Sequence, residues 1–224
     1  MSMLYTIGMA SRTLRRDLYA DQTRTDLLAA ATARFGEADY GSVSLDEICR
    51  TAQVTKGALY HHFKNKQAVF EAVFTGVCER SIERVFGAMA RGGDAPGAQS
   101  GRTEGAGAGD DDRWQAAVFG LLAWLDVLEA DPHARRILTE APAILGWTRW
   151  RELETTVDVV RAVVADLVGA GVIREVPIDA TAQVFFGAIV EGAMLIAHGD
   201  DPAAERRQVE AALLAMMDGL RRTR

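Results

Sequence analysis

The sequence predicts an all-α fold, and three observations support that prediction. Alanine and leucine are abundant, and hydrophobic residues make up 49% of the 224 positions. Apolar residues recur at helical spacing, whereas the long alternating runs of β-branched residues that indicate strands are absent. Capping patterns stand ahead of several of the apolar periods. A chain of this length can form one large or two small domains with a hydrophobic core.

The first helix is predicted to begin at Thr23 and to run to Gly36. Thr23 stands three residues before Asp26, which is the spacing of a capping pair. Residues 1–22 precede any helix signal and are predicted to form an N-terminal arm. The chain then turns at Tyr40 and Gly41.

Two short helices joined by a tight turn are predicted between Ser44 and Lys66. Ser44 and Glu47 have the spacing of a capping box, in which a hydroxyl and a carboxylate satisfy the free N–H groups at a helix start. Thr55 is expected to cap the second helix. The apolar faces of the two helices are formed by Leu45, Ile48, Cys49 and Ala52, and by Ala58, Leu59 and Phe63.

The other face of the second short helix carries hydrogen-bond donors and flat rings, namely Thr55, Lys56, Tyr60 and His61. A short helix with a buried back and a polar, aromatic and basic front is suited to the major groove of DNA, with the preceding helix across the phosphates. On periodicity alone, an ordinary helical hairpin with a solvated face is an equally good interpretation.

The residues themselves resemble a known signature. The segment VTKGALYHHFKNK resembles that of the tetracycline-repressor (TetR/AcrR) family of bacterial transcription regulators, and the similarity covers about 50 residues, from Thr23 to Phe74. In the preceding helix the family core positions are occupied by Leu27, Leu28, Ala30, Ala31, Phe35 and Tyr40. The family usually has glycine in the turn, where this chain has Gln53. If that residue needs a positive φ, its side chain costs about 1 kcal/mol.

The resemblance implies a helix-turn-helix DNA-binding domain over residues 23–70 and an effector-binding and dimerisation domain over residues 71–224. It further implies a homodimer that binds a pseudo-palindromic operator in double-stranded DNA. Such a regulator acts most often as a repressor and is released by a small, largely apolar effector. Neither the resemblance nor the residues indicate a cofactor or a metal.

Helix signals continue through the larger domain. Asn65 is expected to cap a helix from Lys66 to about Arg91, which is long enough to serve as a rod connecting two domains. Residues 92–112 are rich in glycine, alanine, serine and acidic residues and are predicted to form a flexible loop, either a tolerated insertion or a functional lid. Helices are then predicted from Arg113, from Asp131-Pro132 through Ile137-Leu138, and from about Thr148 to Val168. The last pair follows Pro177.

The penultimate helix is too apolar for a surface element, since it is apolar almost all round apart from Gln183 and Glu191. With the last helix it could form half of a four-helix bundle that a second copy completes. A buried hairpin within one chain is the alternative. The predicted dimer contacts are Gln183, Gly187, Val190, Met194, Leu213 and Met217.

DNA-contact residues are predicted from side-chain chemistry. Lys56 and His61 can donate to base edges or phosphates, and Tyr60 can donate to phosphate. Thr55 and Ala58 can touch a thymine methyl group, and Gly57 lets the backbone approach. Matching family positions add Thr25, Ser44 and Lys66 as residues that position phosphates. Residues 1–22 are either a frayed tail or an arm that contacts DNA.

An effector pocket is expected among the central helices, lined by large apolar side chains with a polar anchor. The break from Pro142 to Gly146, next to two tryptophans and an arginine, is predicted to be its rim. Any one of these aromatic residues could equally belong to the core. The predicted pocket residues are Phe86, Met89, Phe119, Trp124, Trp147, Arg149, Trp150 and Phe186.

Composition argues against several other classes of protein. The net charge of −6 divides into +2 over residues 1–70 and −8 over the remainder, which favours DNA contact through the N-terminal part. Two cysteines without metal spacing indicate a reduced, cytoplasmic chain. The sequence has no uninterrupted run of 18 apolar residues, so no membrane span is predicted. The arginines follow the mildly apolar first ten residues instead of preceding them, which argues against a signal peptide. No nucleophile elbow, phosphate-binding glycine loop or metal-ligand spacing of histidines indicates an enzyme.

Overall fold

The computed structural model describes residues 2–92 and 109–222, and this part of the chain is helical without a named strand, so the predicted all-α fold is confirmed. One isolated antiparallel bridge joins Ile173 to Arg221. The helices are α1 (Ser2–Glu37), α2 (Leu45–Thr51), α3 (Lys56–His62), α4 (Lys66–Gly92), α5 (Asp110–Ala130), α6 (Pro132–Leu145), α7 (Trp147–Leu153), α8 (Thr156–Gly169), α9 (Ile178–His198) and α10 (Pro202–Asp218).

The chain divides into two compact units whose boundary lies inside α4. The first unit extends to Phe74 and contains α1 to α3 with the start of α4, and the second extends from Thr75 onward. The domain boundary predicted at residue 70 lies in the same helix.

The first unit is held together by the apolar stripes of its helices. Leu27, Ala31 and Phe35 of α1 are buried at successive helical turns. Phe35 meets Phe70 of α4 edge to face, with ring centroids 5.2 Å apart, and stacks on Tyr40 at 5.7 Å. This aromatic cluster fixes α1 against α4 and leaves α2 and α3 to pack on the same core through Ile48 and Leu59.

The start of α1 was predicted wrongly. The helix begins at Ser2, so Thr23 lies in its interior, and the Thr23 hydroxyl donates to the carbonyl oxygen of Tyr19 at 2.8 Å instead of capping a helix. Residues 2–22 contain no proline and one glycine, Gly8, so nothing in that segment ends a helix.

Two helix boundaries in the second unit also differ from the sequence prediction. Helix α5 begins at Asp110, and its first turn holds three aspartates, where negative charge is favoured by the helix dipole. Helix α6 continues through Pro142 to Leu145 and ends at Gly146, which has a φ of 77°. Of the predicted loop, residues 93–108 lie outside the described residues.

The long helix predicted from Thr148 to Val168 is two helices, α7 and α8. The buried carboxylate of Glu154 accepts a hydrogen bond from the backbone N–H of Thr156 at 2.7 Å. This bond satisfies a free N–H group at the start of α8, and the chain therefore changes direction between Glu154 and Thr156. A buried cap of this kind leaves no periodicity signal in the sequence.

The second unit packs around α9. A Cβ atom on Gly192 would lie 2.6 Å from a methyl group of Val209, so the glycine permits close approach of α9 and α10 within one protomer. The guanidinium of Arg206 in α10 forms ion pairs with Asp126 and Glu129 of α5 and with Glu210. These contacts fix α10 against both α9 and α5.

Candidate DNA-binding surface and effector cavity

The caps of α2 and α3 have the predicted geometry. The hydroxyl of Ser44 accepts from the Glu47 N–H at 3.2 Å, and the Glu47 carboxylate accepts from the Ser44 N–H at 3.0 Å, which completes the capping box. The hydrogen bonds from Ser44 lower the pKa of Glu47. The hydroxyl of Thr55 accepts from the Ala58 N–H at 3.2 Å. Both helices therefore begin where the sequence places them.

The turn between α2 and α3 requires a left-handed residue. Gln53 has a φ of 56°, its N–H donates to the Arg50 carbonyl, and the Val54 N–H donates to the Cys49 carbonyl at 3.0 Å. These two bonds form the Schellman motif that commonly ends a helix, and glycine usually occupies the Gln53 position of that motif. Gln53 therefore has the positive φ on which the expected cost of its side chain depended.

One face of α3 is open to solvent. Thr55, Lys56, Gly57 and His61 are exposed, and Tyr60 is 57% exposed. Ala58 is half-buried. The opposite face is anchored by Leu59, which is fully buried, and Phe63 follows the helix into the core. The seven-residue helix thus presents all but one of its predicted DNA contacts outward.

Lys56 has a partner that the sequence did not indicate. Its Nζ lies 2.7 Å from Oδ1 of Asp46 in α2, and this hydrogen bond raises the pKa of Lys56. Because the two residues lie on different helices, no spacing rule relates them. The turn at Gln53 brings them together.

The three residues assigned to phosphate positioning differ in their surroundings. Ser44 is exposed at the start of α2. Thr25 is exposed but lies within α1, where its hydroxyl donates to the Asp21 carbonyl at 2.9 Å, so it does not mark a helix N-terminus as predicted. The Lys66 ammonium donates to the Gly41 carbonyl at 3.3 Å and lies 4.3 Å from the centre of the Tyr40 ring. Burial lowers the pKa of Lys66.

His62 is half-buried, next to the core. Its ring meets that of His61 edge to face at 5.2 Å. Burial lowers the pKa of His62, and the charges of His61 and Arg24 lower it further. Arg24 lies over the ring of Phe63 at 5.4 Å.

The second unit contains an apolar cavity of about 100 Å³. Its walls come from α4, α5, α8, α9 and α10. Of the predicted pocket residues, Met89 and Trp124 line it. The other lining side chains are almost all aliphatic or aromatic and include Ile82, Val85, Trp114, Leu121, Val160, Val164, Phe185, Ile189 and Met217.

Six predicted pocket residues do not line this cavity, because four lie on the surface and two are buried away from it. Phe86 and Phe119 point outward from α4 and α5 and are 53% and 36% exposed. Trp147 is largely exposed, and Arg149 pairs with Glu152 on the surface of α7. Trp150 and Phe186 are buried, but their rings stack on each other at 6.1 Å away from the cavity. The predicted rim at Pro142–Gly146 is likewise not part of the cavity wall.

An exposed apolar face extends along α9 and α10. Its large residues are Val184, Leu195 and Met216, which are 68%, 49% and 44% exposed. Of the predicted dimer contacts, Gln183 and Gly187 are exposed and Val190 and Met194 are half-buried. Leu213 and Met217 are buried inside the protomer, where Met217 lines the cavity, so their assignment to a surface contact is wrong. On α10 the exposed apolar face therefore contains Met216 in place of the predicted Leu213 and Met217.

By length and composition, α9 is the one helix among the described residues that could cross a membrane. Core helices of soluble proteins share that length and composition, so the property alone does not indicate a span. Within the described ranges no cluster of three or more His, Cys, Asp or Glu side chains could hold a metal ion.

Each of the two units matches the model of a known protein family. Residues 27–73 match the model of bacterial regulatory proteins of the tetR family, and residues 114–220 match that of the tetracyclin repressor-like C-terminal domain. The chain belongs to the TetR family. Its relatives in that family are transcriptional regulators and not enzymes.

Individual relatives of this TetR-family chain are most similar in the first unit. The chain is 38% identical over 65 residues to the HTH-type transcriptional regulator UidR of Escherichia coli K12, which covers 29% of the chain and 33% of UidR. It is 48% identical over 52 residues to the transposon Tn10 TetC protein of Escherichia coli, covering 23% and 26%. The matches span about a third or less of these curated relatives.

One solved structure matches nearly the whole length. A crystal structure of a TetR-family transcriptional regulator from Pectobacterium atrosepticum shares 29% identity with the chain, with a TM-score of 0.71, over 92% of this chain and 97% of that one. The likeness therefore extends well beyond the first unit.

Proposed function

We propose that this protein is a cytoplasmic, homodimeric DNA-binding regulator that represses transcription and is released from its operator by a small, largely apolar effector. The observation that carries the proposal is the exposed face of α3. Lys56, Tyr60 and His61 point to solvent while Leu59 anchors the opposite side in the core. A helix held in this way can enter a major groove without disturbing the core packing of the first unit.

Each exposed side chain of α3 has a role in this proposal. Lys56 and His61 donate to base edges or phosphates, and the phenol of Tyr60 donates to a phosphate oxygen. Thr55 and Ala58 lie against thymine methyl groups, and Gly57 permits close approach of the backbone. Ser44, at the start of α2, contacts a phosphate beside the groove, where the free N–H groups of a helix start favour an anion.

A second copy of the chain supplies the recognition helix for the second half-site of the operator. Two recognition helices about 34 Å apart match one turn of the duplex and a pseudo-palindromic operator. The exposed face of α9 and α10 provides a self-complementary surface of small and apolar residues, with Gly187 between Val184 and Leu195. Two such faces related by a two-fold axis form a four-helix bundle.

Helix α4 offers the connection between effector and DNA. Its first turn is capped by Asn65 in the first unit, and Ile82, Val85 and Met89 near its other end line the cavity of the second. An effector that binds one arrangement of these side chains better than another shifts the population of α4 positions and thus the spacing of the recognition helices. The loss of DNA affinity equals the differential binding energy of the effector.

The proposal is tested by selecting genomic fragments that the full-length protein binds and titrating one of them at fixed salt. Lys56→Ala and Tyr60→Phe are expected to weaken binding roughly 5- to 100-fold, in the range of a lost base or charge-assisted contact. Arg84→Ala removes the same charge as Lys56→Ala from an exposed position in the second unit and serves as the control. Wild-type affinity in both α3 variants would contradict the proposal.

A further inference from the structure

The cavity in the second unit discriminates against charge. Among the described residues that line it, none is acidic, basic or histidine. An ionised carboxylate or ammonium inside such a wall would lose its hydration without gaining a partner, which costs several kcal/mol or more. A ligand of this cavity therefore enters uncharged.

Two residues of the cavity wall each carry a buried polar atom that makes no hydrogen bond within the part of the chain that the structure describes. The indole Nε1 of Trp124 and the hydroxyl Oγ1 of Thr156 are both buried and make no hydrogen bond to any described residue. Each of the two residues is 93% buried, with 7% of its surface exposed. Buried polar groups in proteins are nearly always satisfied, so two unsatisfied groups in one cavity wall call for an explanation.

The chemistry of these atoms restricts the ligand. An indole N–H can donate but cannot accept, whereas a threonine hydroxyl can do either. The group that satisfies Trp124 must therefore be an acceptor, and an uncharged one because of the wall. Ketone, ester, amide and ether oxygens meet both conditions.

The size of the cavity sets a further limit. A single water needs roughly 10–15 Å³ on this scale. The space of about 100 Å³ consequently suits a molecule of on the order of seven to ten non-hydrogen atoms. Gly120 and Met89 define one side, since a Cβ on Gly120 would lie 2.9 Å from the Met89 side chain.

We propose that the effector is an uncharged, largely apolar molecule of about this size that carries one oxygen acceptor, which takes the hydrogen bond of the Trp124 indole. Thr156 provides the second polar contact. The inference rests on the proposed ligand-responsive function and assigns the chemical class of its ligand. Fatty carboxylates and organic cations are excluded.

The test uses three probes of similar shape and different polarity: propiophenone, propylbenzene and 3-phenylpropanoate. Binding to the full-length dimeric protein is measured by calorimetry in the absence of DNA. Propiophenone is expected to bind roughly 2- to 10-fold more tightly than propylbenzene, the contribution of one hydrogen bond. The carboxylate is expected to show no binding at the concentrations that saturate the ketone.

Variants locate the hydrogen bond. Trp124→Phe is expected to abolish the preference for the ketone and to retain propylbenzene binding. Trp114→Phe is the matched control, because Trp114 lines the same cavity but its N–H is not among the unsatisfied atoms, and the preference should persist. Thr156→Val, which keeps the shape of the side chain, is expected to reduce the ketone preference and tests the site if Trp124→Phe does not fold.

Two results would overturn the proposal: a carboxylate that binds as tightly as the ketone, or a ketone preference that survives Trp124→Phe. Failure of all three probes to bind would also contradict it. In a separate titration, propiophenone is added to the complex of the protein with the selected DNA fragment. This titration distinguishes failure of the proposed ligand class from failure of the proposed ligand-responsive function. Trp124-dependent binding without release of DNA leaves the ligand class intact and contradicts the ligand-responsive function.

Discussion

The ammonium of Lys56 lies 2.7 Å from the carboxylate of Asp46, so α2 neutralises the cation of α3 that we propose as a DNA contact. Both side chains are more than half exposed, at 61% and 55%. An exposed pair of this kind adds little to stability. In the proposed complex the pair is expected to weaken DNA binding, because Asp46 would compete with phosphate for Lys56 and adds a negative charge to the same surface.

Asp46→Asn is expected to tighten DNA binding, roughly 2- to 10-fold at low salt, with a smaller gain as salt rises. The measurement is a titration of a bound fragment at two or more salt concentrations. Asp26→Asn changes the net charge equally from an exposed position on α1 and should give a smaller increase. Equal DNA affinity in the wild-type protein and in Asp46→Asn would show that the ion pair does not weaken DNA binding by Lys56.

Gln53→Gly is expected to stabilise the first unit by up to about 1 kcal/mol. A left-handed conformation strains any side chain, and glycine removes the strain while costing some entropy in the unfolded chain. The gain appears as a higher midpoint of urea unfolding. Ala29→Gly, at an exposed interior position of α1, should lower stability by about 1 kcal/mol, so the same product residue has opposite effects at the two sites.

Stability is expected to fall in alkaline solution through Cys78. Burial raises the pKa of this thiol above its ordinary value of 9.0, and the nearby carboxylate of Glu154 raises it further. Between the ordinary value and the raised one, the unfolded chain has lost the thiol proton and the folded chain keeps it. The unfolding free energy therefore decreases as pH rises above about 9, by up to about 1.4 kcal/mol per pH unit.

The check is denaturant unfolding at intervals from pH 8 to pH 10. Cys78→Ala should flatten the decline, and the remaining slope should include Cys49, whose pKa burial also raises. An unchanged slope in Cys78→Ala would assign the pH dependence to other groups. Cys78 should in addition resist thiol reagents until the protein unfolds, since only the thiolate reacts.

Val184→Asp is expected to convert the proposed homodimer to a monomer, because it places a charge on the exposed α9 and α10 face. Sedimentation or light scattering reports the change in mass. Ala143→Asp adds the same charge at an exposed position of α6 and should leave the mass unchanged. Leu213→Ala should instead destabilise the fold, by about 2–5 kcal/mol, since this residue is buried in the protomer. A Val184→Asp protein of unchanged mass would place the dimer contact elsewhere.

The sequence was most informative where structure is local. The caps at Ser44, Thr55 and Asn65 each involve atoms three residues apart, so a spacing rule is sufficient to place them. A left-handed Gln53 was raised as a condition, because the resembling family usually has glycine at that turn, and its φ of 56° meets that condition.

The cavity could not be placed from the sequence in the same way. Trp124 and Trp150 are both buried tryptophans, yet one lines the cavity and the other stacks on Phe186. The difference depends on the rotation of each helix, which contacts distant in sequence decide. The pairing of Lys56 with Asp46, which lie on different helices, was missed for the same reason. The break at Glu154 was missed because a buried cap leaves no periodicity signal.

Gly120 and Met89 give the cavity an adjustable wall. The thioether of Met89 occupies the space that a side chain at position 120 would fill, and methionine changes conformation at little cost. A homologous series of effectors that differ by one or two methylene groups should therefore bind with graded rather than all-or-none affinity. In the proposed ligand-responsive function, such tolerance would let one regulator respond to a series of related small molecules. Gly120→Ala, which pushes Met89 inward, should narrow that series to its smallest members.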